Sequence, residues 1–419
     1  MARSNERVWW HVYPLGFTGA PATRDGGPHG PRLRQLLPWL DHARDLGASG
    51  LLLGPVFDSA THGYDTLDHL RIDPRLGSDA DLDALVVACH DRGMQVVLDG
   101  VFNHVSDRHP RVLEARAAGF RGPASAWLRI TEDGKDAGDA GSGPQPRVFE
   151  GHSALVELDH ANPDVVSYVT QVMNHWLDRG VDGWRLDAAY AVEPDRWAAI
   201  LAGVRSRHPE AWVFGEVIHG DYADVVARSG MDSVTQYELW KASWSSIKDA
   251  NFFELDWTLT RHNELLATFT PQTFIGNHDV TRIATTLGPA GAVVALAVLM
   301  TVGGTPSVYY GDELGWTGLK EHRAGGDDAI RPPFPADAAQ LTGDAVVHQA
   351  HRDLVALRRA HPWLTRARTE ALELSNTRYR YRSVAADGAG ALIVDLDLTA
   401  SPRAAVIADQ GAVLWRSHP

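Results

Sequence analysis

Short apolar runs alternate with stretches of helical periodicity along most of this chain. A run that is apolar at every position reads as a strand covered on both faces, as in a parallel sheet. The runs are VWWHVYP (8–14), SGLLLGP (49–55), QVVLDG (95–100), GWRLD (183–187), AWVFGE (211–216), SVTQYE (233–238), QTFIGN (272–277) and SVYYGDE (307–313). Between them lie segments such as DLDALVVACHDRG and VVSYVTQVMNHWLDRG, whose apolar residues return every three or four positions. Gly93 and Gly180 stand where those helices should stop, since glycine accepts the left-handed conformation there. Alternating strands and helices in this number predict an α/β fold, a (β/α)8 TIM barrel, with an open doubly wound sheet as the competitor. The first strand-to-helix turn lacks G-x-G-x-x-G, which weakens the dinucleotide-binding alternative.

Two stretches break the alternation. From residue 105 to 161 the chain is rich in Gly, Pro, Ser and Asp, notably in EDGKDAGDAGSGPQP (132–146). An excursion of that length leaving after the third strand predicts an insertion domain B on the face where barrel sites lie. Beyond an amphipathic helix near 346–360 the pattern changes to period two in RYRYRSVA, GALIVDLDL, AAVIAD and AVLW, which predicts a short antiparallel β domain. The expected division is therefore a barrel at 1–104 and 162–363, domain B at 105–161 and a C-terminal β domain at 364–419.

Composition narrows the field. The chain of 419 residues carries 39 Lys and Arg against 53 Asp and Glu, a formal charge of −14, which disfavours a nucleic-acid surface. Cys89 is the single cysteine, so no intrachain disulfide and no cysteine-based metal cluster can form. The N-terminal stretch does not read as a signal peptide, and the longest apolar run, near 291–302, is short for a bilayer. A cytoplasmic protein without membrane or nucleic-acid partners is expected. The 14 Trp outnumber the 10 Tyr and 11 Phe, and Trp184 and Trp240 fall in or near segments expected at the barrel mouth.

The chemistry sits at strand ends. The third strand ends in DGVFNH with Asp99, Asn103 and His104, the fourth in GWRLDA with Arg185 and Asp187, the fifth in GEV with Glu216, and the seventh in IGNHD with His278 and Asp279. Arg185 and Asp187 are two apart on a strand and point to one side. Asp187 or Asp279 alone could be a helix N-cap, and Asp99 could simply balance Arg185. Together at one barrel mouth they read as a site. Three carboxylates there could hold a divalent metal or cleave a glycosidic bond. The second chemistry needs one carboxylate to attack carbon, another to protonate the leaving oxygen, and a third to hold hydroxyls.

These four motifs, flanked by HGYDTLDHLRIDPRLG (62–77) and GGTPSVYYGDELG (303–315), resemble the α-amylase family, glycoside hydrolase family 13. The resemblance covers about residues 8 to 363. It implies Asp187 as nucleophile, Glu216 as general acid/base and Asp279 as the group that grips sugar hydroxyls. It also implies Arg185 supporting Asp187, His104 and His278 bonding hydroxyls in the −1 subsite, and Tyr64 stacking on that sugar ring. No cofactor is required. Asn103 matches a frequent calcium position, but the segment before Asp159 and His160 departs from the family pattern, so no metal is assigned.

YELWKASWSSIKDANFFELDWTLTRHN (237–263) and GGDDAIRPPFP (325–335) resemble the cyclomaltodextrinase, neopullulanase and maltogenic amylase group. That group's N-terminal domain is not found before the first strand, which leaves a homodimer open. After Asp187 come Ala188, Ala189, Tyr190 and Ala191, where starch-degrading relatives carry Lys-His. The leaving-group side is rebuilt, which points to a small linear or cyclic malto-oligosaccharide with α-1,4 and also α-1,6 links. A mixed-linkage cyclic tetrasaccharide is one such substrate. A transglycosylase or cyclase and a non-catalytic binding relative are the alternatives.

Overall fold

Each of the apolar runs contributes a strand in the computed structural model, which describes residues 7–24, 27, 29–131, 143–323 and 325–417. They are β1 (Trp9–Val12), β2 (Gly50–Leu53), β3 (Gln95–Gly100), β4 (Gly183–Leu186), β5 (Trp212–Gly215), β6 (Ser233–Val234), β7 (Gln272–Phe274) and β8 (Thr305–Tyr309). All pair in parallel, in the order β6-β5-β4-β3-β2-β1-β8-β7, and a bridge from Thr235 to Gln272 closes the ring. The helices between them are α1 (Leu40–Leu46), α2 (Asp79–His90), α3 (Pro163–Asp178), α4 (Pro194–Arg207), α5 (Tyr222–Ser229), α6 (Tyr237–Lys248), α7 (Phe253–Leu266), α8 (Ile283–Thr301) and α9 (Ala345–Ala360). Gly93 (φ 69°) and Gly180 (φ 97°) follow α2 and α3 in the left-handed region, as their positions predict. The run 233–238 is cut short because the Gln236 side chain accepts from the Leu239 N–H and starts α6.

Strand alternation sorts the tryptophans. Trp9 and Trp212 point into the barrel, stack with centroids 5.2 Å apart, and fill its floor with Leu52, Val97 and Phe214. Trp10 and Trp184 belong to the outer cluster under the helices. Trp184 packs on Phe57 and Phe102 and is fully buried, so its segment reaches the mouth while its side chain faces the helices. Its neighbour Arg185 points inward, and on a strand adjacent side chains cannot share a face. Cys89, on α2, is buried, and desolvation pushes its thiol up to about 12.

The apolar run near 291–302 is part of a longer helix than the sequence suggests. α8 spans 19 residues, long and apolar enough to cross a membrane, with a break where Gly288 takes φ 69°. It is buried instead against α6, α9 and the C-terminal strands. Its carboxyl end is closed by Arg358 of α9, whose guanidinium donates to the carbonyls of Met300 (3.0 Å), Val302 (2.9 Å) and Gly304 (2.6 Å).

The excursion after β3 leaves and returns through paired strands His104–Ser106 and Leu155–Glu157. Residues 132–142, most of its Gly/Asp-rich stretch, lie outside the described residues. The tail forms an antiparallel sheet of β9 (Arg368–Leu374), β10 (Arg378–Val384), β11 (Ala391–Asp397), β12 (Arg403–Ala408) and β13 (Val413–Arg416). It meets the barrel helices through Tyr381 OH and Thr301 Oγ1 (2.6 Å), Ser383 Oγ to the Thr301 carbonyl (2.6 Å), and Tyr379 OH to Asp256 (2.9 Å).

Candidate active site

The register of β3 and β4 sets Arg185 beside Asp99, both facing inward near the strand ends. Arg185 Nη1 donates to both oxygens of Asp99 (2.6 and 2.7 Å) and to Asp187 Oδ1 (3.3 Å), and Nη2 lies 2.9 Å from Glu216 Oε1. One guanidinium thus faces three carboxylates inside the barrel, and the role of Asp99 as a balance for Arg185 is seen directly. Immediately after Asp187 the chain turns through Ala188, at φ 46° a strained position for a side chain with Cβ. The turn lets the Ala188 N–H donate to Glu216 Oε2 (3.1 Å), while Tyr237 OH donates to Glu216 Oε1 (3.0 Å).

One cation cannot neutralise three buried anions. Burial, and next the Glu216 charge, hold the Asp187 carboxyl well above the usual carboxylate range. Burial also raises Asp99, against the pull of Arg185.

A second group gathers at the end of β7. Asp279 receives the His278 Nε2 at 2.9 Å and Arg331 Nη2 at 2.9 Å. Arg331 also donates through Nε to the His278 carbonyl (2.8 Å), pairs with Asp327 (2.9 Å) and lies 4.5 Å over the Tyr13 ring. Burial alone would raise Asp279, but His278 and then Arg331 outweigh it and hold the carboxyl well below its ordinary value. Tyr64 joins the two groups, donating to Asp99 Oδ2 (3.1 Å) and meeting His278 Nε2 with its hydroxyl. The other His278 nitrogen meets His11 (3.1 Å), which desolvation keeps well below the usual imidazole value and so neutral.

The sequence-predicted residues thus converge, with one difference in presentation. His104 is buried, with Nε2 on the Tyr64 carbonyl (3.1 Å), Nδ1 on Asn103 (3.2 Å) and Phe149 stacked on its ring at 4.7 Å. Burial drops its pKa to about 3. Three residues of the site went unrecognised in the strand-end motifs: Arg331, Tyr237, and Asn277, which donates to Tyr237 OH (3.1 Å) and accepts from the Asp279 N–H (2.8 Å). Arg331 lies in GGDDAIRPPFP after β8, on the face where any side chain has access to the mouth. That placement was the available signal. Around Asn103 the described residues bring together no group of three His, Cys, Asp or Glu side chains.

Space for a ligand opens on the Asp279 side. A cavity of about 480 Å³ runs from Asp279 past Trp240, Trp244, Thr281 and Lys320. A second of about 310 Å³ lies behind Arg331, against Tyr13 and His62. Each is of the size that small-molecule sites occupy, with apolar walls and a few polar groups.

The family described as "Alpha amylase, catalytic domain" matches residues 11–368. Neopullulanase 2 of Thermoactinomyces vulgaris is 31% identical over 87% of this chain and 64% of its own length. A cyclomaltodextrinase of Geobacillus thermopakistaniensis is 28% identical over 86% of this chain and 63% of its own. The chain thus spans somewhat less than two thirds of the length of these curated relatives. Among solved structures, the cyclic α-maltosyl-(1→6)-maltose hydrolase of Arthrobacter globiformis superposes with a TM-score of 0.81 over 98% of both chains at 23% identity. The Nostoc punctiforme debranching enzyme gives 0.79 at 26% identity, over 94% of this chain and 87% of that one. A match that runs from within the first barrel strand through the eighth, and includes every strand-end carboxylate, shows that the chain belongs to the α-amylase family, glycoside hydrolase family 13.

Proposed function

We propose that the chain hydrolyses α-1,4 and also α-1,6 glucosidic bonds in short linear or cyclic malto-oligosaccharides, with retention of configuration at the anomeric carbon. The observation that supports this is the Arg185 guanidinium, which meets Asp187 through one nitrogen and Glu216 through the other and so holds both carboxylates beside one cation. Asp187 attacks the anomeric carbon as the glycosidic bond breaks, and Glu216 delivers a proton to the departing oxygen. Water then replaces the departed sugar, Glu216 takes its proton, and the bond to Asp187 breaks. Asp279, kept anionic by His278 and Arg331, accepts hydrogen bonds from sugar hydroxyls while positive charge develops on the ring. His104, His278 and Tyr64 shape the pocket around that sugar.

The substrate size is supported by the relatives named cyclomaltodextrinase and neopullulanase, and by cavities that add room beyond a single sugar. A cyclic tetrasaccharide with mixed linkages fits the same description. The intracellular maltogenic amylase of Bacillus subtilis, 26% identical over 74% of this chain, supports work in the cytoplasm. Proton NMR of a fresh digest of maltotriose or cyclodextrin tests the mechanism. The first reducing end to appear is the α-anomer, and a β-anomer would overturn retention. Asp187→Asn keeps the fold and loses roughly 10⁴-fold or more of turnover.

A further inference from the structure

Beyond the carboxylates, the barrel mouth is spanned by a contact that joins two separate loops. Tyr190, just after β4, donates its hydroxyl to Glu150 Oε1 at 2.6 Å, and Glu150 belongs to the excursion that leaves after β3. Glu150 sits at φ 48°, ψ 32°, a left-handed conformation that a residue with Cβ rarely adopts. Its neighbour Phe149 lies flat on His104 with ring planes 13° apart and comes within 6.4 Å of the Tyr190 ring. On the other flank Tyr190 packs on His219, three residues past Glu216, at 5.6 Å. The backbone of Tyr190 is itself fixed, its N–H donating to the Glu216 carbonyl at 3.3 Å.

The position of this contact in the ring of strands gives it a meaning. Tyr190, His219 and the excursion follow β4, β5 and β3, whereas Asp279 and Arg331 follow β7 and β8, across the barrel. Under the reading above, Asp279 holds the sugar that is attacked and Glu216 protonates the one that leaves, so Tyr190 and Glu150 border the leaving-group side. We propose that the Tyr190–Glu150 hydrogen bond is a tether that holds Phe149 over His104 and narrows the leaving-group rim, selecting short α-glucosides against long chains. A chain that continues past the leaving sugar has to displace Phe149 and break the tether. A short leaving group packs against the Tyr190 ring and leaves both in place. The inference rests on the proposed glucoside-binding site and assigns specificity within it.

Binding rather than turnover tests it, so the outcome does not depend on the catalytic reading. In an Asp187→Asn background, calorimetric affinities for maltotriose and for a linear maltodextrin of about twenty units are compared before and after Tyr190→Phe and, separately, Glu150→Ala. Each substitution removes one end of the hydrogen bond, and circular dichroism confirms that each variant is folded. Both are expected to shift the affinity ratio toward the long chain by about threefold or more, the worth of one such bond. A ratio unchanged in both overturns the tether. A shift in one variant without the other assigns the effect to that side chain alone and overturns it equally. Loss of retention in the NMR experiment would overturn the catalytic reading and leave this result standing.

Discussion

Arg331 acts on the site through Asp279. It reaches the carboxylate from the loop after β8, and its hold on the His278 carbonyl, on Asp327 and on the Tyr13 ring leaves the guanidinium one geometry. A carboxyl whose folded-state pKa is depressed contributes stability above its unfolded value, and loses it as pH falls through the folded value. Arg331→Gln removes one of the three partners, with His278 and Arg185, that depress Asp279. Its carboxyl then protonates at higher pH, so the acid limb of kcat/KM moves upward. At the optimum kcat/KM falls roughly 10- to 100-fold, as expected for losing a charge-assisted hydrogen bond. A pH–rate profile measures both, and an acid limb that stays in place would detach Arg331 from Asp279.

At the level of elements, α8 is the helix most dependent on a remote residue. Arg358 is buried with no carboxylate partner among the described residues, and burial pulls its pKa down to about 9, still cationic at neutral pH. Its counter-charge is the negative end of α8, presented as the Met300 carbonyl in the last turn and those of Val302 and Gly304 just beyond it. Arg358→Met buries those oxygens unsatisfied and is expected to lower unfolding free energy by about 3 kcal/mol or more. The readout is a lower denaturant midpoint at unchanged slope. The barrel strands and the helix stops at Gly93 and Gly180 were legible in the sequence because each rests on local pattern. Asp187, Glu216 and Asp279 were legible as a group because parallel strands must deliver their ends to one mouth. Arg331, Tyr237 and the Tyr190–Glu150 pair were not, since each depends on loops meeting across the barrel, and no periodicity records such a meeting. Trp184 shows a related limit: membership of a mouth strand does not say which face a side chain takes.

On the scale of the whole molecule, barrel and tail share side-chain bonds rather than a linker. Tyr381 and Ser383 grip Thr301 at the end of α8, Tyr379 reaches Asp256 on α7, and Asn263 of α7 bonds both the N–H and the carbonyl of Thr369 on the edge strand β9. Such coupling predicts one cooperative calorimetric transition for the chain. Tyr379→Phe with Ser383→Ala should lower its midpoint by about 2 °C or more without splitting it, whereas two resolved transitions would show the tail to be independent. The stacked pair of Trp9 and Trp212, with Arg7 lying 5.8 and 5.4 Å from their ring centres, seals the opposite end of the barrel. The reaction chamber is therefore a cul-de-sac. Under the proposed mechanism solvent enters by the doorway through which the first product departs, so departure and entry fall in sequence, and that one doorway times the arrival of water at the sugar-bound enzyme.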